Sequence, residues 1–130
     1  MHDLGLLIGR LMLAPMFLTA GWSKLSAVNA TAGYFSSHGI PYPGAAVYLA
    51  ILAEIGLPVL IILGLHTRLA AFALMVFTLA ATYFGHPFWA QTGAAADANQ
   101  IMALKNLAIA GGLLILSCTG AGRMALRPGS

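Results

Sequence analysis

The chain has 130 residues, 60% hydrophobic and 7% charged, with a mean hydropathy of +0.89. Soluble domains carry ~25% charged residues, so this composition excludes a soluble globular domain and predicts an integral membrane protein folded as one domain over 1–130. The formal net charge of +3 comes without a basic run or aromatic–basic interleaving. That excludes a nucleic-acid surface and leaves the basic residues to report topology.

The N-terminus, MHDLGLLIGR, lacks a basic stretch ahead of its apolar run, and Arg10 interrupts that run. It reads as a retained first helix rather than a cleaved leader. A bilayer span takes roughly 20 apolar residues, and the first candidate runs over about 4–21. The polar, turn-rich segment 26–44, SAVNATAGYFSSHGIPYPG, follows. Residues 32–38 can form a short interfacial helix, which GIPYPG then breaks. The second span covers about 45–65, and the turn His66-Thr67-Arg68 leads to a third over about 69–84. The loop GHPFWAQTGAAADAN precedes a fourth span over about 100–118, and TGAGRMALRPGS is the tail. The expected fold class is therefore all-α, an integral membrane four-helix bundle. The single cysteine, Cys118, excludes an intrachain disulfide and a paired-cysteine redox centre.

Arg10, Arg68, Arg123 and Arg127 lie on one side of this arrangement, whereas the other two loops offer only Lys24 and Asp97. The positive-inside bias then puts both termini in the cytoplasm of a bacterial cell, with the protein a multi-pass component of the inner membrane. Tyr34, Phe35, Tyr42, Phe88 and Trp89 cluster in the outer loops, where interfacial anchoring accounts for most of them.

Three charges fall inside the spans: Arg10, Glu54 and Lys105. Intramembrane ionisable residues face the bundle interior and pair with one another. At a rise of ~1.5 Å per residue, Glu54 lies ~14 Å, Lys105 ~8 Å and Arg10 ~20 Å below the outer edge. Either Arg10 or Lys105 can then serve as partner to Glu54. Pro58, four residues after Glu54, lacks the N–H that would bond the Glu54 carbonyl, so a kink and a freed acceptor are expected beside the buried acid. On helix one, Arg10, Ala14, Phe17, Gly21 and Lys24 share a face. Lys105, Ala108 and Gly112 form a comparable stripe on helix four, with Asn106 ~100° round. Gly5 and Gly9 form a small-xxx-small pair, which leaves a homo-oligomer open. The histidines have no metal-ligand spacing, and Asp3 and Asp97 read as solvated.

These residues resemble the DoxX family of small four-helix bacterial membrane proteins, which includes the thiosulfate:quinone oxidoreductase small-subunit type. The resemblance covers nearly the whole chain. It rests on GRLMLAPMFLTAGWSKL, YFSSHGIPYPGAAVYLAILAEIGLPVLIILGLHTRLAA, TYFGHPFW and MALKNLAIAGGLLIL, in that order. It implies a four-helix bundle and membrane subunits of oxidoreductase systems, many linked to oxidative or metal stress. It also implies Arg10, Lys24, Glu54, His86, Lys105 and Asn106 as the shared polar set, without a catalytic mechanism.

Three functions follow as expectations. The first is a quinone-interacting subunit, since a quinone needs an apolar slot and a few hydrogen-bond partners. Glu54 and Lys105 would then handle protons or form a buried ion pair. Arg10, Lys24, His86 and Asn106 would line the head-group site, and Phe88 and Trp89 would be a stacking wall. The chain carries no evident haem, flavin or iron–sulfur ligands, so electrons would come from a redox partner protein or a soluble donor. The second is a non-catalytic anchor or assembly factor, with the charges locking four helices in register. The third is a small-molecule or metal-ion carrier, for which four short helices leave little room.

Overall fold

The computed structural model describes residues 1–130 and contains helices and turns but no strand. Helix α1 spans His2–Ser26. After a break at Ala27, the short helix α2 spans Val28–Ser37 and buries none of its residues. It starts before the expected 32–38 because Thr31 bonds back to the Ala27 carbonyl through both its N–H (2.9 Å) and its hydroxyl (2.8 Å). Helix α3 covers Pro43–Leu63, α4 covers Thr67–Gly85 and α5 covers Gly93–Thr119. α1, α3, α4 and α5 are each long and apolar enough to cross a bilayer, so the chain is a four-helix membrane bundle. α1 and α5 extend well beyond the apolar runs that announce them. Ser23–Lys24 and the Ala-rich GAAADAN are polar enough to end a hydropathy run yet compatible with helix.

α1 packs on α3, α3 on α4 and α4 on α5, while α2 lies against the start of α3. One core joins all four spans through Phe17, Ile61, Ala70, Ala71, Leu74, Leu113 and Leu116. Large apolar side chains such as Leu11, Leu52, Leu69, Phe72 and Ile115 stay on the outside, the surface that lipid requires. The residues of α1 that become buried are Arg10, Ala14, Phe17 and Gly21, the face that the periodicity marked. On α5 the expected stripe of Lys105, Ala108 and Gly112 is not the inward one. Ala110, Leu113 and Leu116 are buried there, with Asn106 on the same side.

Both termini lie at one end of the bundle. α3 stops in a Schellman motif: the Gly64 N–H (φ 71°) bonds the Ile61 carbonyl at 3.2 Å and the Leu65 N–H bonds the Leu60 carbonyl at 2.9 Å. Arg10, fully buried, donates to the Ile61 and Ile62 carbonyls at 3.1 and 3.3 Å and to the Met124 carbonyl. The tail folds back over this point. Leu126 and Arg127 donate their N–H groups to the Leu63 and Gly64 carbonyls, and the Ser130 hydroxyl also reaches Gly64 at 3.0 Å. Asp3, expected to be solvated, accepts the Arg123 N–H at 3.0 Å. Arg68 donates to the last carbonyls of α5, Ser117 to Thr119, where a cation also meets the negative end of the helix dipole.

Candidate functional site

The middle of α3 is a π turn, Leu52–Gly56, which ends two residues before Pro58. A proline inside a helix removes one rung of the hydrogen-bond ladder. The backbone meets this by widening for one turn, a distortion typical of functional positions in helices. No side chain donates to the freed Glu54 carbonyl. The turn directs Ala53 and Glu54 inward, and both are buried. Gly21 of α1 sits directly against it: a Cβ at Gly21 would lie 2.6 Å from Ile55 Cγ1 and 3.1 Å from Glu54 Cβ. Only a glycine lets the two helices approach this closely.

That approach determines the partner of Glu54, which is neither Arg10 nor Lys105. Lys24 Nζ lies 3.0 Å from Oε1 and 2.9 Å from Oε2 of Glu54. Lys24 is one turn beyond Gly21 on the same face of α1, because α1 continues to Ser26. Arg10, 14 residues earlier on α1, lies ~21 Å along the axis, at the termini end. Lys105 falls near the middle of α5 rather than near its start, since α5 begins at Gly93. Its one polar contact is Met102 Sδ at 3.6 Å, and no carboxylate reaches it.

The Lys24–Glu54 pair, Lys105 and Asn106 line one cavity of about 450 Å³ between α1, α2, α3, α4 and α5. Its walls are largely apolar, with Phe17, Phe35, Leu49, Phe77 and Phe84 prominent, and His86 and Thr78 add polar groups. Asn106 Nδ2 donates to Thr82 Oγ1 at 3.0 Å, and the Thr82 and Thr78 hydroxyls donate to the Thr78 and Leu74 carbonyls, each at 2.7 Å. One amide N–H and the amide oxygen of Asn106 are left for a ligand. His86 Nδ1 lies 2.8 Å from Asn99 Oδ1, and Asn99 Nδ2 donates to Gln91 Oε1 and the Ala95 carbonyl.

Of the residues expected at the site, Lys24, Glu54, His86, Lys105 and Asn106 share the cavity, and Arg10 does not. Phe88 and Trp89 lie outside it. Trp89 stacks on Tyr83 with centroids 5.5 Å apart, beside a separate hollow that includes His38. Sequence reasoning missed Thr78, Thr82, Asn99 and Gln91. The i, i+4 threonine pair inside an apolar span was the available signal for the first two. Gln91 in the loop and Asn99 in the first turns of α5 offered none.

The DoxX family model matches residues 5–87. The inner membrane protein YphA of Escherichia coli K12 is 36% identical, over 93% of this chain and 86% of its own length. The inner membrane protein YqjF of the same organism is 35% identical, over 94% and 88%. No solved structure matches the chain.

Proposed function

Starting from a chain that belongs to the DoxX family and is a multi-pass inner membrane protein, we propose a quinone-interacting membrane subunit of an oxidoreductase system. The observation that carries this reading is the cavity itself: an apolar space of about 450 Å³ inside a membrane bundle, with its polar groups converging from four helices and the loop after α4. Sites for small molecules have this make-up, mostly apolar with a few placed polar groups. The residues fit a quinone. Lys105 and the free N–H of Asn106 can donate to a ring oxygen, and Phe17, Phe35, Phe77 and Phe84 form an apolar enclosure for ring and tail.

A bound quinone supplies two-electron, two-proton chemistry. The chain's own part is to exclude water, orient the ring and keep charge beside it. The Lys24–Glu54 pair is the polar floor of the cavity. Lys24 takes one lone pair of each carboxylate oxygen, which leaves a second lone pair on each to accept a proton. Electrons come from a partner protein or a soluble donor such as thiosulfate. The proposed orientation places the termini end in the cytoplasm, where Arg68, Arg123 and Arg127 lie.

Native mass spectrometry of the protein released from lipid nanodiscs is the test. An adduct with the mass of a quinone is the expected result. A spectrum with no cofactor but a stoichiometric protein partner would replace this reading with a membrane anchor. Glu54→Gln should abolish quinone-linked activity while the folded protein stays in the membrane. Unchanged activity would remove Glu54 from the mechanism.

A further inference from the structure

The hydrogen-bond chain behind His86 determines what that ring can offer a ligand. Asn99 has one amide atom 3.2 Å from the Ala95 backbone carbonyl. A carbonyl can only accept, so that atom is the Asn99 nitrogen, and the same nitrogen also meets Gln91 Oε1. The other amide atom, facing His86 Nδ1 at 2.8 Å, is therefore the oxygen. An oxygen acceptor requires a proton on Nδ1. In the neutral ring, Nε2 is then an unprotonated acceptor, and no protein group bonds to it. His86 lines the cavity and Asn99 does not, which leaves Nε2 as the ring nitrogen without a protein partner. The opposite polarity is found at Lys105, which offers only donors, while Asn106 keeps one free N–H beside its amide oxygen.

A quinone presents only acceptor oxygens, so its carbonyl would face the lone pair of Nε2. A quinol presents hydroxyls, which donate to Nε2 and accept from Lys105 or Asn106. We propose that the cavity selects the reduced, hydroxyl-bearing quinol over the quinone, with His86 Nε2 as the hydrogen-bond acceptor and Asn99 as the positioning residue that holds the ring tautomer. This deepens the quinone reading above and rests on it.

The test combines two readouts on the whole protein in nanodiscs. Nitrogen-15 NMR of labelled histidine reads the His86 tautomer. Calorimetry under anaerobic conditions compares a short-chain quinol with its own quinone. The expected results are a proton on Nδ1 and about tenfold tighter binding of the quinol, the factor that one added hydrogen bond contributes. His86→Phe should bring the ratio near one. Asn99→Leu should mix the tautomers and lose most of the selectivity, whereas Asn99→Asp, which keeps an acceptor, should retain both. A proton on Nε2 in the unaltered protein, or equal binding of the two forms, overturns the proposal. If neither form binds, phenol separates the two failures. A phenol-induced shift of the Nε2 signal keeps His86 as a hydroxyl acceptor while the quinone reading falls, and no shift ends both.

Discussion

At the termini end of the bundle, the buried Arg10 guanidinium is held by three backbone carbonyls, and the returning tail covers the same point. At the loop end, Lys24 and Glu54 neutralise each other on the wall of an open cavity, and Lys105 has no acid at all. A charge inside a membrane span is costly in both places. At the first, the cation gives its terminal nitrogens to carbonyls of the α3 end and the tail, and its one unpartnered atom, Nε, is sealed inside the protein, out of reach of a ligand. At the second, donors and acceptors remain unused after every protein contact has formed. The difference separates a structural charge from one available to a ligand, and it does so by hydrogen-bond accounting rather than by depth in the membrane.

Removing the structural charge should have the largest effect on stability. Arg10→Leu removes the side-chain donor of the Ile62 and Met124 carbonyls and one of the two donors to Ile61 and should cost about 3 kcal/mol, measured by unfolding in detergent. Affinity for a quinol in the folded fraction should hold. Lost binding with unchanged stability would reverse the comparison between the two ends.

The ion pair comes next. Glu54→Leu strands Lys24 beside an apolar cavity and should cost about 2 kcal/mol, while Lys24→Met combined with Glu54→Leu should recover most of it, because a missing partner is worse than a missing pair. A double variant as unstable as the sum of the singles would mean that the two residues act separately.

Gly21→Ala should cost about 1–2 kcal/mol by overpacking, since its Cβ would meet Ile55 and Glu54. An unchanged unfolding midpoint would mean that α1 and the π turn can separate freely. Lys105→Met should be the mildest for the fold, within about 0.5 kcal/mol, because Lys105 has only a sulfur contact to lose. Affinity for a quinol should nonetheless fall about tenfold. A stability loss comparable with that of Arg10→Leu would move Lys105 into the structural class.

The inward face of α1 was legible because the 3.6-residue period repeats over Arg10, Ala14, Phe17 and Gly21, and any position on that stripe predicts the others. Pro58 likewise announced a disturbance at Glu54, since a missing N–H is a property of the residue itself. The partner of Glu54 was not legible. Hydropathy loses a helix where polar residues begin, so α1 and α5 looked shorter than they are, and each misplaced residue shifts an estimated depth by ~1.5 Å. Several such residues exchange one candidate partner for another. The role of Asn99 was equally hidden, because it depends on a loop bringing Gln91 and His86 onto one side chain.

The amino-acid sequence by itself determined the medium, the four spans and the inward side of α1, because burial in lipid and helical periodicity act on each segment separately. Only the tertiary structure decided that Lys24 pairs with Glu54, that Arg10 closes the far end of α3, and that His86 meets Asn99 at the edge of a cavity. Each of these depends on the axial offset between two segments, and that offset is set by close contacts such as Gly21 against the π turn, which no single segment contains.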